Sequence, residues 1–225
     1  MRAFDKIAGD WDAYKKGPLS AMKLFLPYIS RGDAVLDAGC GNGRNLITIA
    51  RKVSSSGSLR GGTRIVGVDS SREMLAHARK NAKAAGLTNA SFFLQDIARK
   101  SARFKPGTFD KIVCLAVLHH LRTTRQRRAA FREFSRLLRT GGLLLVSVWN
   151  RHQKKFEGGG PSDRFVPFTV TGGKKVRRFY HFFEKDGLEE LAKSGGFSIA
   201  DVFYESRGAR AEMEGAANLC VVLRK

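Results

Sequence analysis

The chain has 225 residues, is 43% hydrophobic and carries a formal net charge of +21. This length allows one domain with a sizeable core, and the lack of any apolar run of about 18 residues argues against a membrane span. The three cysteines and five histidines show no disulfide or metal-ligand spacing, which argues against a metal site and suits a reducing, cytoplasmic compartment. The charge predicts attraction to polyanions, with nucleic acid as the first candidate and a generally basic proteome as the alternative.

Residues 1–30 precede the first predicted strand and contain helical signals. Residues 3–14 place Phe4 and Trp11 on one helical stripe, and a shorter helix is expected to follow. Such a stripe usually packs against a core, but it could also form a lid over a bound cofactor, with Tyr14 at its end. We therefore predict an N-terminal helical lid and count Tyr14 among the cofactor-binding residues.

A glycine-rich turn follows the first predicted strand. Residues 35–43 read V-L-D-A-G-C-G-N-G, so an apolar run ends in an acid and continues into three glycines and an amphipathic helix. The spacing differs from the G-x-G-x-x-G dinucleotide fingerprint, and a carboxylate beside the turn suits a cation better than a pyrophosphate. The stretch resembles motif I of the class I methyltransferases, whose cofactor, S-adenosylmethionine, is cationic. Asp37, Gly39, Gly41 and Asn42 are therefore predicted to bind this cofactor.

Three further predicted strands end in candidate cofactor residues. Asp69, with Ser70 beside it, ends the second strand, where a carboxylate can accept both ribose hydroxyls of the adenosine. Asp96 and Ile97 follow the third strand; in class I methyltransferases an acid there commonly receives the adenine amino group, with the next apolar residue against the ring. Leu115 ends the fourth strand. The carboxyl ends of parallel strands meet at one edge of a sheet, so these residues should share one crevice.

The segment after the fourth strand should lie beside the transferred methyl group. His119 in this segment is predicted as the catalytic residue, in the sense of placing the substrate; the alternative is a strand-end histidine with a structural role only. The segment lacks the N/D-P-P-aromatic box of many amino-group methyltransferases and the Pro-Cys nucleophile of cytosine-C5 enzymes. Both absences argue against methylation of exocyclic amines and against covalent C5 chemistry.

Residues 151–178 form a basic segment in which eight Lys or Arg face two acids, with phenylalanines interleaved and Phe179 and Tyr180 directly after it. Cationic groups for phosphates and aromatic faces for bases are typical of proteins that bind single-stranded or looped RNA. We predict a long loop with glycine hinges here, within a basic substrate-binding insertion at 151–181 of a single domain, 1–225. A disordered loop without function is the alternative, although such long loops in compact domains are more often functional.

Strands and helices alternate along most of the chain, which predicts an α/β fold. The last two strands, 197–205 and 218–224, are joined by a segment too short for a helical crossover, so they should pair antiparallel. The predicted architecture is the Rossmann-like class I methyltransferase fold, with a seven-stranded, mostly parallel sheet whose last strand is antiparallel.

Four stretches along the chain resemble the tRNA wobble-uridine carboxymethyl methyltransferase family of eukaryotes and archaea. They are 4–12 (F-D-K-I-A-G-D-W-D), 116–120 (A-V-L-H-H), 163–168 (D-R-F-V-P-F) with 178–182 (R-F-Y-H-F), and 218–222 (N-L-C-V-V). The resemblance implies methyl esterification of 5-carboxymethyluridine at the anticodon wobble position of tRNA, with a small zinc-containing activator subunit as a partner. It also implies five substrate-binding residues, which are Trp149, Arg177, Arg178, Tyr180 and His181.

The chemistry of the implied reaction fits these residue types. A carboxymethyl group is ionised at neutral pH because such carboxyls titrate near about pH 4, so the enzyme must orient and desolvate it rather than deprotonate it. The sequence departs from the family's pattern at Phe168, Phe179, Leu219 and an insertion at 54–62. Two alternatives stay open: a class I methyltransferase acting on a quinone-like or lipid-like small molecule, and a non-catalytic RNA-binding relative of the same fold.

Overall fold

The computed structural model describes residues 3–54, 64–153 and 161–225, so most of the 54–62 insertion and residues 154–160 of the basic segment lie outside the described residues. The helices are α1 (Ala3–Tyr14), α2 (Met22–Phe25), α3 (Arg44–Ser54), α4 (Arg72–Ala84), α5 (Thr124–Leu137) and α6 (Lys185–Ser194), with 3₁₀ turns at Leu26–Tyr28 and Leu118–His120. The strands are β1 (Val35–Ala38), β2 (Ile65–Asp69), β3 (Ala90–Leu94), β4 (Phe109–Leu115), β5 (Leu138–Trp149), β6 (Asp163–Thr169), β7 (Lys175–His181), β8 (Ser198–Ser206), β9 (Ala209–Ala211) and β10 (Asn218–Arg224). None of the helices in these three ranges is long and apolar enough to span a membrane.

A sheet of eight strands forms the centre of the structure, in the order β3-β2-β1-β4-β5-β10-β8-β9. Strands β1 to β5 are parallel, and β10 pairs antiparallel with both β5 and β8. The predicted α/β class, with a mostly parallel sheet and a reversed last strand, is therefore confirmed. The sheet has eight strands rather than seven because the short β9 pairs with β8 at the edge.

The sheet is covered on both faces, as the apolar sequences of its parallel strands require. One face packs on α5 and α6 through residues such as Phe131 and Leu188. The other face packs on α2, α3 and α4 through residues such as Phe25, Leu46 and Leu75. This double cover holds the strands rigidly, and so it holds the loops at their carboxyl ends in place.

The basic segment contains a β-hairpin where a loop was predicted. Strands β6 and β7 pair antiparallel with each other and form a separate two-stranded sheet. Gly172 and Gly173 have φ angles of +86° and +80°, the left-handed conformation that tight hairpin turns require. The loop prediction is wrong because this glycine pair is a turn between two strands of alternating burial rather than a hinge. The two segments of this region that resemble the tRNA methyltransferase family are thus neighbouring strands.

Helix α1 packs against both α4 and the hairpin. Its buried residues Ile7 and Ala8 contact Met74 of α4 and Val176 of β7 in one hydrophobic cluster. The helix predicted at 3–14 is confirmed, and its apolar stripe faces this cluster. The helix therefore connects the cofactor side of the sheet with the hairpin.

Candidate active site

A crevice of about 740 Å³ opens at the carboxyl ends of β1 to β4. Eight of the predicted cofactor residues line it, namely Gly39, Gly41, Asn42, Asp69, Ser70, Asp96, Ile97 and Leu115. Five of the predicted catalytic and substrate residues line it as well, namely His119, Trp149, Arg177, Arg178 and Tyr180. The crevice thus brings together most of both groups, including residues as far apart in the sequence as Gly39 and Tyr180.

The glycine-rich turn is shaped by one close contact and one carboxylate. Gly39 has a φ of +84°, and a Cβ at this position would stand 2.5 Å from a methyl carbon of Val117, so only glycine fits. The backbone N–H groups of Gly41 and Ser71 donate to the two carboxylate oxygens of Asp69, at 2.9 and 2.8 Å. These bonds fix the Asp69 carboxylate at the wall of the crevice.

Asp37 lies at the end of β1, below the turn, and is only 1% exposed. It does not reach the crevice lining, and its Oδ2 atom has no hydrogen-bond partner among the described residues. Burial, followed by the negative charge of Asp69, raises the pKa of the Asp37 carboxyl to about 7. A cation bound in the crevice would favour the ionised form of this carboxyl.

Asn42 joins the turn to helix α1. Its side-chain amide donates to Asp12 Oδ1 at 2.9 Å and to the carbonyl oxygen of Lys15 at 3.0 Å. The amide of Asn81 in α4 donates to the same Asp12 oxygen at 2.7 Å. Asp12 is therefore a central hydrogen-bond acceptor that holds α1 over the turn, a role that the sequence analysis did not assign to it.

Besides Asp37, two further predicted site residues, Tyr14 and His181, lie outside the lining of the crevice. Tyr14 is the last residue of α1 and is 67% exposed, because the buried side of this helix is formed by Ile7 and Ala8. The Nδ1 atom of His181 lies 2.6 Å from Asp163 Oδ1, its cross-strand neighbour in the hairpin. The structure therefore places neither side chain where it would contact a ligand in the crevice.

An aromatic wall forms the opposite side of the crevice. The ring of Tyr180 stacks on His119 at a centroid distance of 4.9 Å and on Trp149 at 4.3 Å. The backbone N–H of Trp149 donates to His119 Nδ1 at 3.2 Å, which assigns the proton of the neutral imidazole to Nε2. Burial, and then the neighbouring His120 and Arg178, holds the pKa of His119 well below its ordinary value. His119 is thus neutral at physiological pH, with its ring proton on Nε2.

Arg178 is a buried cation within this wall. It is 6% exposed, and its guanidinium carbon lies 5.6, 5.2 and 5.2 Å from the ring centroids of Trp11, Phe168 and Tyr180. Its Nε atom has no hydrogen-bond partner, and no carboxylate lies within ion-pair distance of its side chain, in the parts of the chain that are described. Burial lowers the pKa of Arg178 from its usual value, yet arginine stays protonated.

The comparison with known proteins agrees with this geometry. Residues 35–142 match the sequence profile of a methyltransferase domain. The solved structure of an S-adenosylmethionine-dependent methyltransferase from Clostridium acetobutylicum aligns over 99% of both chains, with a TM-score of 0.71 and 17% sequence identity. The fold is that of the class I methyltransferases. The enzyme class and the cofactor predicted from the sequence are confirmed: the chain is an S-adenosylmethionine-dependent methyltransferase.

Several relatives of this methyltransferase match it over most of its length. The "Putative methyltransferase ECU09_1500" of Encephalitozoon cuniculi is 29% identical to this chain, and the alignment spans 95% of this chain and 93% of that protein. The tRNA (carboxymethyluridine(34)-5-O)-methyltransferase of Schizosaccharomyces pombe is 27% identical over 91% of this chain and 90% of its own length. The Xenopus tropicalis protein of the same activity name is 30% identical over 68% of this chain, which spans 21% of that longer protein. A ubiquinone biosynthesis O-methyltransferase of Methylococcus capsulatus also matches, at 27% identity over 75% of this chain and 65% of that protein.

The residues of this methyltransferase fit S-adenosylmethionine on structural grounds. Within the described ranges, Asp37 Oδ2 is a buried carboxylate oxygen without a hydrogen-bond partner below the turn, and a Cβ at Gly39 would collide with Val117, which lines the crevice. Asp69 and Asp96 add two carboxylates to the lining. The charge of Asp37, below the turn, would stabilise the cationic amino acid portion of the cofactor, and Asp69 and Asp96 would hold its adenosine portion.

Four residues at the mouth of the crevice were not among the site residues predicted from the sequence, although Phe165 and Phe179 belong to the basic, aromatic region predicted to bind RNA. Arg122, Phe165 and Phe179 all line the crevice, as does Trp11 of α1. The signal that could have found the two phenylalanines is the two-residue period of 163–169 and 175–181, which pairs them across a hairpin. Arg122 carries no such signal, because its proximity depends on how the hairpin folds back onto the sheet.

Proposed function

We propose that this methyltransferase forms the methyl ester of 5-carboxymethyluridine at the anticodon wobble position of tRNA. The observation that carries the proposal is Arg178. A buried guanidinium without an acidic partner is costly unless an anion joins it, and the crevice is the open side from which an anion can reach it. A carboxylate at this point would face the cofactor side of the same cavity.

The side chains around Arg178 suit a carboxylate nucleophile. S-adenosylmethionine, when bound, supplies an electrophilic methyl group on its sulfonium. The substrate carboxylate is already ionised at neutral pH, so no general base is required, and the neutral His119 need not accept a proton. Arg178 would pair with the carboxylate and the Nε2–H of His119 could donate to it, while the rings of Trp149 and Tyr180 exclude water.

Two further observations support tRNA as the substrate. Relatives from Schizosaccharomyces pombe and Xenopus tropicalis bear the name of this activity. The net charge of +21 favours a polyanionic partner, and two arginines line the mouth of the crevice together with the exposed aromatic ring of Phe165. The anticodon loop is therefore the proposed partner, together with the small zinc-containing activator subunit that the family resemblance implies.

The test is the chemical stability of the bond that the enzyme makes. Labelled methyl transferred from S-adenosylmethionine to tRNA should be released as volatile methanol after brief mild alkali, since esters hydrolyse under conditions that leave N-methyl, C-methyl and ribose O-methyl groups intact. The assay should be run with and without the activator subunit. tRNA that lacks the carboxymethyl group serves as the matched negative control, and alkali-stable label on tRNA would contradict the proposal.

A small-molecule substrate is the second candidate, because the ubiquinone biosynthesis enzyme of Methylococcus capsulatus matches three quarters of the chain. Label that appears only in a lipid-soluble or other small-molecule fraction, and not on tRNA, would favour this candidate.

A further inference from the structure

Four side chains at the mouth of the crevice form a continuous stack in which two guanidinium groups alternate with two aromatic rings. Phe165 of β6 lies directly opposite Phe179 of β7, and their ring centroids are 5.8 Å apart at an interplanar angle of 76°. The guanidinium carbon of Arg122 lies 5.4 Å from the Phe165 centroid and 5.8 Å from that of Phe179. The guanidinium carbon of Arg177 lies 4.8 Å from Phe165. We call these four residues the mouth stack.

The mouth stack has the properties of a binding site rather than of a packed core. Phe165 is 43% exposed and is, with Tyr14 and Leu94, one of three large hydrophobic side chains classed as exposed in the described ranges. Of these three, only Phe165 lines the crevice. No carboxylate of the described residues forms an ion pair with Arg122 or Arg177, so both cations are available to an anionic ligand.

The combination of an open aromatic face and two unneutralised guanidinium groups fits a nucleotide. A nucleobase stacks on an exposed aromatic ring, and the phosphates on either side of it pair with arginine. Arg178, in contrast, is buried deeper in the same crevice and is proposed to take the carboxylate. In the proposed complex, the RNA strand that carries the modified uridine therefore passes through the mouth.

We propose that the mouth stack is the platform for a nucleobase adjacent to the methylated uridine, with Phe165 stacking on that base and Arg122 and Arg177 holding the flanking phosphates. The assignment rests on the proposed tRNA substrate for its identity as an anticodon-loop base. It gives Phe165 and the two arginines a positioning role that is separate from methyl transfer.

The experiment measures binding rather than turnover, so it does not depend on ester formation. Affinities are measured by fluorescence anisotropy for a labelled anticodon stem-loop RNA and for two versions that lack the base on the 5′ or the 3′ side of the wobble uridine. Wild-type protein should bind one of the two abasic RNAs more weakly than the complete RNA, by about 5- to 100-fold, as expected for one stacked base. Phe165→Leu should bind all three RNAs with equal affinity, and Phe165→Trp should restore the discrimination.

Two controls and one comparison make the outcome decisive. Leu94→Ala removes an exposed hydrophobic side chain outside the crevice and should leave the discrimination unchanged. Arg122→Gln and Arg177→Gln should each reduce the slope of log affinity against log salt by about 0.7. Discrimination that persists in Phe165→Leu, or is absent in the wild type, would overturn the platform. A wild type that discriminates but forms no alkali-labile ester would refute the proposed reaction and leave the platform standing.

Discussion

The two halves of the crevice differ in charge and in construction. The cofactor half is lined by residues at the carboxyl ends of β1 to β4 and contains Asp69 and Asp96, with Asp37 below. The substrate half is built on the β6–β7 hairpin and contains Arg177 and Arg178. A negative half suits a cationic cofactor, and a positive half suits the anionic substrate proposed above; this charge complementarity would orient both ligands in the crevice.

Helix α1 connects the two halves through its acidic residues. Asp12 accepts hydrogen bonds from Asn42 and Asn81 on the cofactor side. Asp10 accepts from the backbone N–H of Thr171, in the hairpin turn, at 2.9 Å. Substitutions can therefore be chosen that should impair the function of one half and leave that of the other unchanged, or impair both.

The largest expected effect is on the substrate half. Arg178→Leu removes the buried cation, so the rate of methyl transfer to tRNA, as kcat/KM, should fall by at least about 30-fold, since a buried charged contact is worth about 2–5 kcal/mol. Arg178→Lys keeps the charge but loses the planar fork, and its activity should be intermediate. Calorimetry should find the affinity for S-adenosylmethionine unchanged in both variants. If cofactor affinity fell by as much as kcat/KM, the two halves would not be separable.

The converse change in the cofactor half is Asp69→Asn. The carboxylate accepts from two backbone amides of the loops that line the crevice, and hydrogen bonds to a charged group contribute about 1.5–3 kcal/mol. The affinity for S-adenosylmethionine should fall by about tenfold or more. Binding of the anticodon stem-loop RNA should stay at its wild-type level, and RNA binding that falls in parallel would contradict the assignment.

A pH dependence of moderate size should belong to the cofactor half alone. The Asp37 carboxyl has a raised pKa of about 7, so it is protonated below this pH and ionised above it. A bound cation favours the ionised form, so cofactor affinity should rise as pH increases toward 7, by at most about tenfold per pH unit, and level off above it. Asp37→Asn should flatten the profile. A wild-type affinity that is constant between about pH 6 and pH 8 would exclude a link between Asp37 and the cofactor.

The smallest expected effects concern the connecting helix. Asp12→Ala removes the acceptor that joins α1 to Asn42 and Asn81, and should weaken cofactor binding by about fivefold, as for the loss of about 1 kcal/mol. Asp10→Ala is the matched control, because Asp10 joins the same helix to Thr171 instead. It should weaken RNA binding more than cofactor binding. If the two variants lost cofactor affinity and RNA affinity to the same extent, α1 would act as one rigid unit.

The sequence by itself determined the cofactor half. An apolar run followed by an acid and a glycine-rich turn at 35–43 is a local pattern, and so are the strand-end acids Asp69 and Asp96. The carboxyl ends of parallel strands always meet at one edge, so local patterns suffice to predict that these residues share a crevice. The same reasoning predicted the reversed last strand from the short connection before it.

Only the tertiary structure decided the substrate half. Gly172 and Gly173 were assigned to a loop, but pairing across the hairpin places Phe165 beside Phe179. Whether Arg178 is buried or exposed depends on the ring of Trp11, which comes from the distant helix α1, and on that of Phe168, from the partner strand of the hairpin. Tyr14 and His181 have suitable chemistry but lie outside the crevice lining, because helix phase and strand partner, not residue type, set the direction of a side chain. A hairpin that is not part of the main sheet has no general rule for where it docks, so its contribution to the site depends on contacts between residues far apart in sequence.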